Sequence, residues 1–318
     1  MSIQDCLRQI HNGGTLSYAS ALALARGADL SELCRAADGL RLFFHTDSFD
    51  LCSIINARSG RCSEDCRYCA QSARYSVAID SYEQIETDVA LAQARENDRA
   101  GVRRLSLVTA GRSVEDDQLE DLGRLYGHLG RETGLFFCAS MGLLTREKAE
   151  RLVDFGVRRY HCNLESCRDY FPQVCTTHSW DEKVETILLA REAGMEICSG
   201  GIIGMGESLE QRLQLAFELR ELEILSIPIN ILTPIAGTPM ASLAPLAFSE
   251  VLRAVAMFRF INPQAVIRLA GGRNQFGAAQ YQCFSAGANG AIVGNYLTTA
   301  GNGLDQDLQA LANMGFQF

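Results

Sequence analysis

Three cysteines within eight residues carry the first recognisable chemistry in this 318-residue chain, in the run Asn56-Ala-Arg-Ser-Gly-Arg-Cys62-Ser-Glu-Asp-Cys66-Arg-Tyr-Cys69-Ala-Gln-Ser. Thiolates at Cys-x3-Cys-x2-Cys spacing can converge on one small cluster if the loop wraps around it. A structural zinc site wants four protein ligands, usually as two Cys-x2-Cys pairs, and no second pair occurs here. An electron-transfer 4Fe-4S cluster also takes four cysteines. Three ligands leave one iron of a cubane open, so that a substrate or cosubstrate can chelate it.

The chain holds 12 cysteines in all, which without a secretory leader points to metal or redox chemistry in a reducing compartment rather than a disulfide framework. Cys138, Cys162, Cys167, Cys175 and Cys198 fall in the middle of the chain. Cys6, Cys34, Cys52 and Cys283 stand alone and read as small packed hydrophobes. Net charge is −9, which disfavours nucleic acid and anionic lipid as partners. No basic segment followed by an apolar run opens the sequence, so a cytoplasmic location is expected. Residues 224–248 hold no charge, but four of the chain's six prolines lie there, which argues against a membrane span.

Elements must position these cysteines, and they recur in a regular order. Apolar, β-branched runs at 51–57, 104–109, 135–139, 158–164, 196–203, 227–232, 265–270 and 291–293 predict strands. Amphipathic stretches at 82–96, 116–129, 147–155, 180–193, 209–222, 250–260 and 275–285 predict helices. Ser179 with Glu182 and Ser208 with Gln211 form capping boxes, and Gly134, Gly156 and Gly194 are expected to close helices. The alternation predicts a TIM-type (β/α)8 barrel over residues 46–318 with an N-terminal helical extension over 1–45. An open doubly wound sheet would carry a glycine-rich turn after its first strand, where this chain has the cysteines. The glycines of Ser199-Gly-Gly-Ile-Ile-Gly-Met-Gly-Glu207 lack phosphate-loop order and are expected to allow close approach to a bound ligand.

A Cys-x3-Cys-x2-Cys loop after strand one of a barrel resembles the radical S-adenosylmethionine superfamily. Cys62-Ser-Glu-Asp-Cys66-Arg-Tyr-Cys69-Ala-Gln-Ser is very similar to the signature of the biotin synthase family. Further motifs resemble that family in order: Tyr160-His-Cys-Asn163-Leu-Glu165, Cys198-Ser-Gly-Gly-Ile-Ile-Gly-Met-Gly-Glu207, Asn230 with Gly237-Thr-Pro, and Ile267-Arg268-Leu-Ala-Gly-Gly-Arg273. The resemblance runs from about Phe43 to the C-terminus. It implies a 4Fe-4S cluster on Cys62, Cys66 and Cys69, with Tyr68, Thr109, Glu165, Lys183 and Ile202 around S-adenosylmethionine. It also implies Asn163 and Asn230 against dethiobiotin, which would be converted to biotin. Asn163 and Glu165 are expected on one face of the fourth strand. A flavodoxin or ferredoxin electron donor and a homodimer are implied as well.

The family's second cluster, 2Fe-2S, sits on three cysteines and an arginine and is the proposed source of the inserted sulfur. Cys138, Cys198 and Arg268 match three of those ligands, but the strand-two position is Ser106, a poorer iron ligand than a thiolate. Three readings follow: Ser106 ligates as an alkoxide, no cluster forms, or Cys162, Cys167 and Cys175 help Cys138 and Cys198 build a different, larger one. Cys198 and Arg268 are then the catalytic candidates. The missing cysteine also leaves room for a related maturase or mutase reaction without sulfur insertion. A chain whose triad merely carried electrons or braced the fold would not cleave S-adenosylmethionine.

Overall fold

The computed structural model describes residues 2–298 and 301–318. Three helices come first: α1 Ile3–His11, α2 Tyr18–Gly27 and α3 Leu30–His45. Each starts on a side-chain cap, Ser2, Ser17 and Asp29 accepting from the backbone N–H three residues on. The strands follow as β1 Asp50–Arg58, β2 Arg104–Thr109, β3 Phe136–Ser140, β4 Val157–His161, β5 Glu196–Cys198, β6 Gly201–Ile203, β7 Ser226–Ile231, β8 Val266–Leu269 and β9 Gly290–Ile292. Between and after them lie α4 Thr87–Arg99, α5 Asp116–Glu132, α6 Arg146–Asp154, α7 Trp180–Glu192, α8 Leu209–Glu221, α9 Phe248–Ile261 and α10 Leu304–Asn313.

All strand pairs are parallel, in the order β5-β4-β3-β2-β1-β9-β8-β7-β6. The two ends of that order, β5 and β6, are one strand interrupted at Ser199-Gly200. Ser199 N–H donates to Ser226 O of β7, and Ile202 N–H to Glu165 O beyond β4, so the ring closes through the split strand. Eight strand positions result, as the alternation predicted. Gly200 and Gly201 permit the closure: a Cβ on Gly200 would lie 1.9 Å from Pro228 O, and one on Gly201 2.4 Å from Glu165 O. Gly200 and Gly201 therefore serve close approach to neighbouring backbone, a demand the sequence did not reveal.

Other differences are local. Residue 82 lies in a bridge with Ser59, and α4 begins only at Thr87. Gly156 and Gly194 adopt positive φ after their helices, whereas α5 ends on extended Thr133, so Gly134 is not its cap. Residues 273–286 are 3-10 helix broken at Gly277 rather than one amphipathic α-helix. Both expected capping boxes are present. The N-terminal helices pack on the barrel's outer layer, where Arg253 of α9 donates to the carbonyls of Ala25 (2.9 Å) and Ala28 (3.1 Å). No described helix is long and apolar enough to cross a membrane; residues 224–248 form β7 and the loop after it.

Candidate active site

Strand alternation decides which side chains enter the barrel. Cys52 and Ile54 of β1, Ser106 and Val108 of β2, Cys138 and Ser140 of β3, Arg159 and His161 of β4, Pro228 and Asn230 of β7, and Arg268 of β8 line one cavity. Its volume is about 330 Å³, and it extends up to Tyr68, Cys69 and Gln71 in the loop after β1. The cysteine-triad loop and the deep cysteines thus face one space, at the C-terminal side where barrel enzymes hold their chemistry.

At the mouth, the loop folds back on itself. Cys62 N–H donates to Gln71 O (3.0 Å), Ala73 N–H to Cys62 O (2.8 Å) and Cys69 N–H to Cys66 O (2.9 Å). All three thiols are half-buried. Burial, reinforced by the charge of Cys62, pushes the Cys69 thiol up to about 11, so ligation must displace protons. Burial raises the Cys62 thiol, partly offset by the backbone of Glu64 and, after β2, of Gly111. Thr109 is buried just before it and does not line the cavity.

Glu64, 5% exposed, ties this loop to the segment after β4. It accepts from Thr177 Oγ1 (2.9 Å) and pairs with His178 Nδ1 (2.5 Å). Cys175 belongs to this knot: its thiol donates to Asp65 Oδ1 (3.1 Å), and Cys66, Cys175 and His178 bring their ligand atoms within 4.8 Å of one another. A hydrogen bond from Cys66, then one from His178, outweigh burial and draw Cys175 down to about 4.

Tyr68 packs with Val174, Ile202, Met205 and Leu232 beside the loop. The β4 strand ends at His161, so Asn163 and Glu165 lie beyond it, and Glu165 has φ +67. They still meet, Asn163 Nδ2 donating to Glu165 Oε2 at 3.3 Å. Lys183 Nζ stands 4.0 Å from Glu165 Oε1 with both side chains 12% exposed, so this lysine, although in the first turns of α7, is not a solvated surface residue. Burial opposes its charge, but Cys162 and Glu165 outweigh that and keep its pKa above the usual lysine value. Asn163 Oδ1 accepts from Gly200 N–H (3.0 Å), and Asn230 Oδ1 from Gly271 N–H (2.9 Å).

The cavity floor holds Cys52, Cys138, Cys198 and Arg268. Arg268 pairs with Asp50, donates to Ser226 Oγ (2.9 Å) and lies 4.0 Å from Cys198 Sγ; Ser226 Oγ donates to that thiol at 3.3 Å. Burial pushes Cys198 up, but His161, Arg268 and Arg159 outweigh it and bring it down to about 6. Cys138 and Cys52 share a hydrogen bond that holds Cys52 below the usual thiol range and Cys138 well above it. Ser106 Oγ and Arg268 Nε are buried without a hydrogen-bond partner among the described residues.

The structure does not bring Cys162, Cys167 and Cys175 to this floor. Cys162 turns outward, its thiol 3.9 Å from the Lys183 carbonyl. Cys167 lies in the apolar core outside the cavity, and Cys175 lies at the triad. The thiol that does join Cys138 and Cys198 is Cys52, which the sequence presented as a packed hydrophobe. Its signal was parity: Cys52 shares a strand face with Ile54 and the polar Asn56.

Residues 57–219 match the profile of the radical SAM superfamily, and residues 228–317 that of the biotin and thiamin synthesis associated domain. A biotin synthase of Desulfotalea psychrophila is 55% identical over 312 residues, covering 97% of this chain and 93% of that protein. The chain belongs to the biotin synthase family. A second biotin synthase, from Acetivibrio thermocellus, is 45% identical, with 97% of each chain covered. Among solved structures, methylornithine synthase superposes with a TM-score of 0.84 at 17% identity, covering 98% of this chain and 96% of that one. The FeFe-hydrogenase maturase HydG from Carboxydothermus hydrogenoformans gives 0.83 at 18%, covering 99% and 78%. These last two likenesses establish the fold alone.

As a radical SAM enzyme of the biotin synthase family, the protein uses a 4Fe-4S cluster and S-adenosylmethionine. The donor set at the mouth fits them: three soft thiols, a half-buried Lys183–Glu165 pair for a zwitterion, and an aromatic ring at Tyr68.

Proposed function

We propose that the protein inserts sulfur into dethiobiotin to give biotin, with the reacting carbons held between the Cys62–Cys66–Cys69 loop and the Cys138–Cys198–Arg268 floor. Family membership supports the reaction. The observation that carries this arrangement is the single cavity joining Cys69 and Tyr68 to Cys138, Cys198 and Arg268. When bound, the clusters and S-adenosylmethionine supply a 5′-deoxyadenosyl radical for hydrogen abstraction from unactivated carbon, and the sulfur that replaces that hydrogen.

The chain's own residues do the positioning. Lys183 pairs with the S-adenosylmethionine carboxylate, Glu165 meets its ribose, Tyr68 and Ile202 flank its adenine, and the backbone after Thr109 faces its amino group. Asn163 and Asn230, both on the cavity wall, hold the ureido ring of dethiobiotin with their amides. Apolar Ile54, Val108, Ile231 and Leu232 exclude water from the radical. Arg268 and Cys198 hold the sulfur-donating auxiliary cluster together with Cys138. We read residues 1–45 as a helical extension of a barrel spanning 46–318, the enzyme as a homodimer, and flavodoxin or ferredoxin as the electron donor.

The test is anaerobic incubation of reconstituted protein with reductant, S-adenosylmethionine and dethiobiotin, with mass spectrometry of the products. Biotin appears if the reading holds. Cleavage of S-adenosylmethionine without biotin would instead favour a related radical reaction lacking sulfur insertion, and absence of cleavage would leave the triad a structural or electron-carrying role.

A further inference from the structure

We propose that the cluster-free protein holds a single tetrahedral divalent cation of the zinc class on Cys66, Cys175 and His178, and that this ion and the 4Fe-4S cluster exclude one another. The exclusion rests on the reading that Cys62, Cys66 and Cys69 carry that cluster, since Cys66 is the thiol both would use.

Spacing carries the argument. The ligand atoms of Cys66, Cys175 and His178 lie within 4.8 Å of one another, and among the described residues no other group does so. Cys175 Sγ is 3.3 Å from His178 Nδ1. Two thiolates bound at about 2.3 Å to one tetrahedral ion stand about 3.8 Å apart. Ligands on different irons of a cubane must stand wider, because each iron projects its thiolate outward from its own corner. Cys66 and Cys175 therefore suit one ion together rather than two irons of one cluster. Two thiolates and an imidazole are a zinc donor set, and water can take the fourth corner. Cys62 and Cys69 do not belong to the group.

The pair is set without help from a metal. Asp65 N–H donates to Thr177 Oγ1 (3.1 Å), and Asp65 Oδ1 accepts from Thr176 N–H (2.8 Å). Arg67 N–H donates to Val174 O (2.9 Å). These bonds flank Cys66 on both sides and Cys175 on both sides. Cys175 is 2% exposed and the His178 side chain 8%, so little solvent competes for the ion. Binding releases the thiol protons to solvent. A cation on His178 Nδ1 displaces the contact with Glu64, which keeps its bonds from Thr177 Oγ1 (2.9 Å) and Ser63 Oγ (3.0 Å).

The experiment uses the full chain freed of iron, in a Cys138→Ala, Cys198→Ala background that removes floor thiols from competition. Anaerobic titration with Co2+ reads the thiolate-to-cobalt absorption, and Zn2+ is then added to displace it. A single Co2+ per chain, released by Zn2+, is expected. Cys175→Ala and His178→Ala are each expected to bind Co2+ at least about tenfold more weakly. Reconstituted with iron and sulfide, both should still take up the triad cluster, which also shows that their loop is folded. Cys62→Ala with Cys69→Ala should do the reverse, keeping Co2+ and losing the cluster. Zinc-loaded background protein is expected to take up cluster only after a chelator is added. Undiminished Co2+ affinity in both Cys175→Ala and His178→Ala, its loss in the Cys62→Ala, Cys69→Ala variant, or unhindered cluster uptake by zinc-loaded protein would overturn the proposal. A cluster retained without Cys62 and Cys69 would instead overturn the triad reading beneath it.

Discussion

Arg268 on β8 reaches across the barrel floor to Asp50 at the start of β1, and the same guanidinium touches Ser226 and approaches Cys198. A cation 1% exposed stays charged at this depth because that carboxylate and hydroxyl answer it. Asp50→Asn is expected to cost about 3 kcal/mol in urea unfolding of the apoprotein, since it strands a buried charge. Arg268→Met removes the charge itself and leaves Asp50 its pair with Arg104 (3.3 Å), so its cost is smaller. The reverse order would show that Arg268 is not the group needing compensation.

The Lys183–Glu165 pair sits at the cavity mouth with little solvent around it. Lys183→Ala is expected to weaken S-adenosylmethionine binding about tenfold, the loss of one charge-assisted hydrogen bond. Isothermal titration with the cluster-loaded protein reads this directly. Arg168, paired with Asp181 on the exposed outer side, is a control whose replacement by Ala leaves the affinity unchanged.

Gly200 is constrained by the backbone of β7. Gly200→Ala drives a Cβ against Pro228 O, and overpacking of this kind costs about 3 kcal/mol. The melting temperature is expected to fall equally with and without S-adenosylmethionine. A defect seen only with the ligand present would assign the glycine to the ligand instead.

His45, at the end of α3, faces Arg259 at 3.1 Å. Burial first, and the Arg259 charge second, hold its pKa down at about 4. The unfolded chain therefore takes up a proton near pH 6.5 that the folded chain refuses until about pH 4. The stability from this residue is present above pH 6.5 and is lost as pH falls towards 4. His45→Gln is expected to flatten the upper part of that decline, from pH 6.5 to about 5, before most carboxylates titrate.

Much of this was legible in the sequence because periodicity and caps are local. The run at 104–109 is β2 residue for residue, and Ser179 with Glu182 caps α7. What escaped depended on non-local geometry. Asn163 and Glu165 meet through a left-handed turn beyond β4, not through strand alternation. Cys175 and His178 join Cys66 only because Glu64 and Asp65 draw the segment after β4 onto the triad loop. Cys52 looked inert because a lone cysteine in an apolar strand shows its cavity neighbours only once the strands across the barrel are placed.

The central claim is sulfur insertion at a floor of cysteines, and the source of the sulfur tests it most directly. Protein reconstituted with isotopically heavy sulfide, then freed of unbound sulfide, is taken through one turnover with dethiobiotin and S-adenosylmethionine, and the biotin is weighed by mass spectrometry. Heavy biotin, absent when Cys138 and Cys198 are both replaced by Ala, is the predicted result. Release of 5′-deoxyadenosine with no biotin, or biotin whose sulfur is light, would contradict the account.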